Sequence, residues 1–133
     1  MRKKHWILLG LFAGILAAWM TFNPQGRFGF ARYAVTVFNR WPRPISDFQV
    51  RADGAFRRVS KTHDLNYETV AWLLDEKPEV VIIAIGWDGV VEADERIRNS
   101  NLVRVLKNKE AIELFNQLKR AGKRVAIHYH STC

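Results

Sequence analysis

Three histidines and one cysteine are the residues with the clearest capacity for chemistry. His128, His130 and Cys133 lie close together near the carboxyl end of the sequence, and His63 lies well before them. Residues two apart on a strand share a face, so His128 and His130 would point together as metal ligands. Structural zinc sites, however, usually carry paired ligands such as Cys-x-x-Cys, and this sequence has none. Hydrogen-bonded strand-end histidines are the preferred interpretation, and we assign no metal ligand.

Cys133 would be a nucleophile only as a thiolate. A neighbouring His130 would favour that form, whereas the carboxylate of a final residue would disfavour it. As the single cysteine, Cys133 also excludes an internal disulfide. The sequence therefore predicts no catalytic residue and no cofactor.

The loop Gly86-Trp87-Asp88-Gly89 follows the most apolar run of the folded part. It lacks the glycine spacing and the following helix of a phosphate-binding loop. Ligands nevertheless favour loops at strand ends of α/β sheets. We therefore predict a ligand or partner surface here, with a simple turn carrying an exposed Trp as the alternative. The surface would comprise Gly86, Trp87, Asp88, Gly89, His63, Asn116, His130 and Cys133, although a structural hydrogen-bonding role is preferred for Asn116.

Strands and helices alternate in the part of the chain that must position these residues. Apolar patterning predicts strands at 48–51, 56–59, 80–85, 102–106 and 124–129. Helices are predicted at 67–76 and 109–120, with Asn108 as the N-cap of the second and Gly122 after its end. This order predicts a single α/β domain around a mixed sheet, because the opening hairpin at Asp53-Gly54 is antiparallel.

The amino-terminal segment has the composition of a membrane anchor. Residues 6–22 carry no charge, and Trp6 and Trp19 lie near the two ends, where indole rings favour the membrane interface. We predict an uncleaved single-pass anchor over residues 1–22. Two alternatives are a signal peptide cleaved near Ala17-Ala18 and a buried core helix.

The positive charge flanks this apolar segment. Residues 1–44 hold seven of the 21 Lys and Arg and no acidic residue, whereas residues 45–133 hold the other 14 and all 13 acidic residues. A basic surface that binds nucleic acid should lie on the folded domain itself, but here the excess positive charge lies beside the apolar segment. Lipid headgroups are therefore the preferred partner, and nucleic acid is not expected. Positive charge is denser before the apolar segment, at Arg2, Lys3 and Lys4, than after it, at Arg27 and Arg32. This difference favours a cytoplasmic amino terminus and a domain outside the cytoplasm.

Gly10, Gly14 and Ala18 fall four apart on one helix stripe. Such small-residue stripes let membrane helices approach closely, and a homodimer through this stripe is one interpretation. The alternative is that Gly and Ala are simply common in such helices.

Residues 23–44 interleave aromatic and cationic side chains. Such mixtures can stack on single-stranded nucleic acid, but beside a membrane span they suit the lipid interface better. We predict a juxtamembrane linker at 23–44, ended by Pro42 and Pro44, and a domain at 45–133.

Four segments resemble the Mth-type domain family: 78–86, 110–116, 122–126 and the terminal His130-Ser131-Thr132-Cys133. That family includes small archaeal and bacterial proteins of unknown function, an adipogenesis-associated animal protein and the mitochondrial NADH:ubiquinone oxidoreductase assembly factor three. The resemblance implies a three-layer fold around a mixed sheet, no established catalysis and, for the mitochondrial member, a role in assembling a membrane complex. This chain departs from the pattern at Trp87-Asp88, at His128 and in its anchor.

Two functional hypotheses follow. The first is a non-enzymatic, membrane-anchored interaction module that assists assembly of a membrane complex through a protein partner. The second is a small-ligand-binding protein or enzyme that uses the loop after the central strand with His63, His130 and Cys133.

Overall fold

The structure is a computed structural model that describes residues 2–133. It contains four helices and ten strands within those residues. In chain order they are α1 (Arg2–Phe22), β1 (Phe28–Arg32), β2 (Val35–Phe38), β3 (Trp41–Pro42), β4 (Asp47–Val50), β5 (Phe56–Val59), β6 (Asp64–Leu65), α2 (Tyr67–Leu74), β7 (Val80–Ala84), β8 (Glu92–Ala93), α3 (Glu95–Arg98), β9 (Val103–Leu106), α4 (Asn108–Arg120) and β10 (Val125–Tyr129).

A five-stranded sheet with the order β5-β4-β10-β7-β9 forms the centre of the folded part. β10 pairs parallel to β7 and antiparallel to β4, so the sheet is mixed. The predicted mixed α/β fold is confirmed. The predicted strands and the two longer helices are present to within a few residues, and helix α2 ends at Leu74, before Pro78.

Alternating side chains of the central strands pack into two cores on opposite faces of this sheet. Ile82 and Ile127 face α4, through Ala111 and Phe115. Ile83 faces the layer formed by α2, α3 and the short pair β6-β8. Each strand is therefore apolar on both sides, as expected for strands covered by two layers.

Residues 23–44 are part of the domain, which corrects the predicted linker. They form the three-stranded sheet β1-β2-β3, and Phe28 and Phe38 are buried in the core that faces α4. The Phe28 ring lies 4.9 Å from that of Phe38 and 5.3 Å from that of Phe115. Phe30, Tyr33 and Trp41 are exposed. Phe28 is buried although it lies two residues from Phe30, because the pairing of β1 with β2 shifts register between Phe28 and Ala31.

Helix α1 is long and apolar enough to cross a membrane, although a soluble protein's helix or a signal sequence can share that length and composition. None of its residues is buried, so the alternative of a core helix has no support in the packing. Gly10 and Gly14 face open space. Three statements stay predictions: that the helix forms a homodimer, that the domain lies outside the cytoplasm, and that the helix is not cleaved from the chain.

The helix meets the domain at its last turn. The Trp19 indole N–H donates to the carbonyl oxygen of Arg40 at 3.0 Å, and Asn23, which follows the helix, accepts from the backbone N–H of Phe30 at 2.9 Å. These two hydrogen bonds connect the end of the helix directly to the domain.

Candidate functional site

The predicted loop after β7 packs against the last four residues. Gly86 has a φ of +101°, and a Cβ at this position would overlap the carbonyl group of Cys133. Only glycine combines that backbone conformation with so close an approach. The Trp87 amide donates to the carbonyl oxygen of Thr132 at 2.8 Å. Two more amides, from Asp88 and Val90, donate to the carbonyl oxygen of Cys133 at 3.3 Å and 3.1 Å.

Asn108 joins this loop to the end of β10. Its Oδ1 accepts from the Gly86 amide at 3.0 Å, and its Nδ2 donates to the carbonyl oxygen of His130 at 2.7 Å. The prediction of Asn108 as a helix N-cap was wrong. Lys107 holds that position without a side-chain hydrogen bond, and the buried amide of Asn108 is used to bridge two loops.

A buried carboxylate orients His130. Asp47, the first residue of β4, lies 2.6 Å from His130 through Oδ2 and Nδ1, and both side chains are inaccessible to solvent. The other oxygen of Asp47 accepts from the Ser131 amide at 3.0 Å, from the Ser131 hydroxyl at 3.1 Å and from Nζ of Lys61 at 2.8 Å. Sequence reasoning missed Asp47, Lys61 and the role of Ser131.

The ionisation of this pair is set by burial and hydrogen bonding. Burial alone would raise the pKa of Asp47. The hydrogen bonds from Lys61 and Ser131 and the charge of His130 together outweigh burial, so the pKa of Asp47 lies below its ordinary value. Burial lowers the pKa of His130, and the Asp47 carboxylate only partly offsets that effect. At neutral pH the pair is therefore a carboxylate and a neutral imidazole, whose Nδ1–H donates to Asp47 and whose Nε2 carries the lone pair.

His63 and Cys133 complete the cluster. Sγ of Cys133 lies 3.6 Å from Nε2 of His63, and the rings of His63 and His130 are 5.4 Å apart in an edge-on arrangement. His63 is exposed, Cys133 is half-buried and His130 is buried, so the cluster runs from solvent into the protein. We call these three residues, with Asp47 behind them, the His-Cys cluster.

Two residues considered from the sequence lie outside this cluster. His128 does not join His130 as a ligand, because its Nδ1 is hydrogen-bonded to the Gln49 side chain at 3.0 Å inside the protein. Asn116 lies on α4 and exchanges hydrogen bonds with the backbone of Phe28. These hydrogen bonds agree with the structural role preferred for Asn116, and its place in a ligand or partner surface stays a prediction.

The predicted loop is less exposed than a simple turn would be. Trp87 is partly buried, whereas Asp88 and Val90 are exposed. The residues that present side chains to a ligand or partner at this edge are thus Asp88, Val90, His63 and Cys133. The arrangement offers a half-buried thiol beside an exposed imidazole, with a second imidazole held by a carboxylate.

No protein-family model matches the chain, and a comparison with curated proteins finds no match. Solved structures do match. The structure of MT938 superimposes with a TM-score of 0.72 at 30% sequence identity, over 80% of this chain and 98% of that one. The conserved hypothetical protein PH1505 from Pyrococcus horikoshii OT3 superimposes with a TM-score of 0.71 at 20% identity, over 80% of this chain and 99% of that one.

Proposed function

The chain belongs to the MT938-like, or Mth-type, domain family, and we propose that it is a membrane-tethered interaction module that helps to assemble or stabilise a membrane complex. The observation that carries this proposal is the helix Arg2–Phe22, which buries none of its residues and is hydrogen-bonded to the domain at its last turn.

The length and surface of α1 suit a bilayer. The uncharged residues 6–22 of this helix rise about 25 Å at 1.5 Å each, against roughly 30 Å for a hydrocarbon core, and Arg2, Lys3 and Lys4 extend it at the amino end. Its large apolar side chains are exposed all round, with Ile7 at 63%, Phe12 at 66% and Ile15 at 69%. A helix apolar on every side is stable in lipid or inside a protein, and here the protein does not cover it.

The surface of the domain beside the helix suits a lipid headgroup layer. A cleft of about 510 Å³ at the junction is lined by the last helical turns, by the segment after the helix and by the turn into β3, namely Leu16, Trp19, Met20, Gln25, Asn39, Arg40 and Trp41. Trp41 is exposed at the start of β3, and Phe30 and Tyr33 are exposed on the same small sheet. The guanidinium of Arg32 lies 5.6 Å from the Phe30 ring. Aromatic rings with arginines are typical of membrane interfaces.

An interaction role is supported by the near balance of charge in residues 45–133 and by the exposed edge at Asp88 and Val90. A balanced surface gives no general attraction for nucleic acid, so recognition must come from local contacts. Val90 is an exposed apolar side chain beside the charged Asp88, a combination suited to a protein partner.

Fractionation tests the tether first. We expect the intact chain to stay with membranes after carbonate washing. The double variant Leu11→Arg and Ile15→Arg should move it to the soluble fraction, because each charge at mid-helix costs about 2.5–3.5 kcal/mol of insertion free energy. Lys109→Glu, on the exposed side of α4, is the matched control and should leave the chain in membranes. An intact wild-type chain in the soluble fraction would refute the tether.

Co-purification tests the interaction. Cross-linking in native membranes, followed by detergent extraction, should recover a defined partner. Asp88→Arg with Val90→Glu should reduce that recovery, while Lys109→Glu should not. Recovery of the wild-type chain alone at native expression would contradict the interaction role and leave the tether intact.

The second candidate function is small-ligand binding or catalysis at the His-Cys cluster. The observation that favours it is the half-buried Cys133 thiol, whose Sγ lies 3.6 Å from Nε2 of His63 and within 4.8 Å of the ligating nitrogen of the oriented His130. Thiol-reactivity profiling with a small alkylating reagent tests it. Cys133 should react faster than a thiol in an unstructured peptide, and His63→Gln should slow the reaction. Equal rates would exclude an activated thiol.

A further inference from the structure

Three side chains of the ligand types that zinc prefers converge at the end of β10. His63, His130 and Cys133 each offer one ligating atom, and these atoms all lie within 4.8 Å of one another. In a tetrahedral site with Zn–S near 2.3 Å and Zn–N near 2.0–2.1 Å, sulfur and nitrogen are separated by about 3.5 Å. The Sγ of Cys133 and the Nε2 of His63 are 3.6 Å apart. We propose that His63, His130 and Cys133 form a binding site for zinc or a chemically similar divalent cation.

The remaining separations need only a small adjustment. Two nitrogens of a tetrahedral zinc site are about 3.4 Å apart, so a separation of up to 4.8 Å must close by about 1.4 Å at most. His63 is exposed and precedes the short strand β6. Because Cys133 and His63 are already 3.6 Å apart, the movement needed is of these two side chains toward the buried His130, and neither of them is buried.

Asp47 supplies the outer partner that metal-bound histidines usually have. A ligating imidazole normally donates its other N–H to a carboxylate, which fixes the tautomer and the ring orientation. Nδ1 of His130 is engaged by Asp47 at 2.6 Å, so Nε2 is the nitrogen that would bind a metal, in place of its 3.3 Å hydrogen bond with the Thr132 hydroxyl. This buried carboxylate is an observation independent of the three-ligand cluster, and it points to the same chemistry.

The backbone that carries two of the ligands is fixed by residues that are not ligands. Asn108 holds the carbonyl of His130, and the amides of Asp88 and Val90 hold the carbonyl of Cys133. Binding then costs little ordering of the chain, because the ligands are already positioned.

The ligand set defines the kind of site. One thiolate and two imidazoles leave the fourth tetrahedral position open, as in zinc sites that bind water or a substrate. The exposed side of the cluster, at His63, is where that position would meet solvent. The site would take one further small ligand with an oxygen, nitrogen or sulfur donor. It depends on the domain alone and not on the tether or a protein partner.

Metal titration of the full chain tests the proposal. The protein is purified in detergent without a polyhistidine tag, stripped with a chelator and titrated with Zn²⁺ and, separately, with Co²⁺. We expect one equivalent of Zn²⁺ at micromolar or lower concentration and a near-ultraviolet thiolate-to-cobalt absorption band. Cys133→Ser should abolish that band, and His63→Gln should weaken zinc binding at least 100-fold. Asp47→Asn should weaken it by about 10- to 100-fold.

The control variant is His5→Gln, which removes a histidine of α1 and should leave the affinity unchanged. Far-ultraviolet circular dichroism checks that Cys133→Ser and His63→Gln remain folded, as expected for half-buried and exposed positions. Absence of stoichiometric Zn²⁺ binding by the wild-type chain would overturn the proposal. So would zinc affinity and a cobalt spectrum that Cys133→Ser leaves unchanged.

Discussion

Asn116 of α4 and the backbone of Phe28 exchange two hydrogen bonds across 88 residues of chain, each with a donor–acceptor distance of 2.9 Å. The side-chain amide imitates the edge of a neighbouring strand, since it accepts from the N–H and donates to the C=O of one residue. This pair fastens the small sheet β1-β2-β3 to the helix that covers the central sheet.

Asn116→Ala should loosen that sheet. Two hydrogen bonds are lost, and we expect a decrease of about 1–3 kcal/mol in the free energy of unfolding. Hydrogen exchange followed by mass spectrometry should show faster exchange in residues 28–38 than in β7. Gln117→Ala, an exposed change on the same helix, is the control. Unchanged exchange in residues 28–38 would show that the aromatic core alone holds the sheet.

The domain should fold from residue 23 and fail to fold from residue 45. A fragment 45–133 lacks Phe28 and Phe38, and truncation of a buried Phe typically costs about 3–5 kcal/mol. Two such losses approach the whole stability of a small domain, about 5–15 kcal/mol. Thermal unfolding should be cooperative for 23–133 and absent for 45–133. A sharp transition at the same temperature in both fragments would restore residue 45 as the boundary.

Gly86→Ala should destabilise the protein more than Gly54→Ala. Both glycines have positive φ, +101° and +88°, but only at Gly86 does an added Cβ meet the Cys133 carbonyl. We expect about 1 kcal/mol for Gly54→Ala and at least about 3 kcal/mol for Gly86→Ala. Denaturant unfolding measures both. Faster alkylation of Cys133 in Gly86→Ala would show that the last residues have become more accessible. Equal losses of unfolding free energy in the two variants would argue that the loop moves away from the added Cβ.

Stability should fall as the pH drops from about 6.5 toward 4 because of His128. Burial lowers the pKa of His128 to about 4 from an ordinary value of 6.5. Between these values the unfolded chain binds a proton that the folded chain does not, so acid favours unfolding. The full loss is about 3 kcal/mol, and it is absent above pH 6.5. Unfolding of chelator-treated 23–133 at several pH values tests this. His128→Gln, which keeps an acceptor for Gln49, should reduce the slope and leave the part contributed by His130, whose pKa burial also lowers. An unchanged slope would assign the whole dependence to other groups.

Local patterns in the sequence were sufficient for most of the central sheet and for α4. The run Val80–Ala84 is apolar on both faces, and α4 has a clear apolar stripe, so each element is specified by its own residues. Two arguments placed His63, His130, Cys133 and the loop after β7 in one predicted surface. One was the resemblance to the family, and the other was the preference of ligands for loops at strand ends.

The missed residues act through partners distant in sequence. Asp47 meets His130 and Ser131 more than 80 residues later, and Lys61 reaches Ser131 70 residues away. Neither has a neighbour in sequence that marks it as functional. Phe28 and Phe38 were misread for a related reason. Their segment has exposed aromatic residues on one side and buried ones on the other, and composition alone does not separate the two.

The strand order also sets when the domain can form during synthesis. β10 lies between β4 and β7, so the two halves of the central sheet have no direct pairing until residues 125–129 leave the ribosome. The apolar helix emerges more than 100 residues earlier. If α1 delivers the nascent chain to a membrane, as we propose, delivery would precede folding of the domain, and a chain truncated before β10 would arrive with its two half-sheets unjoined.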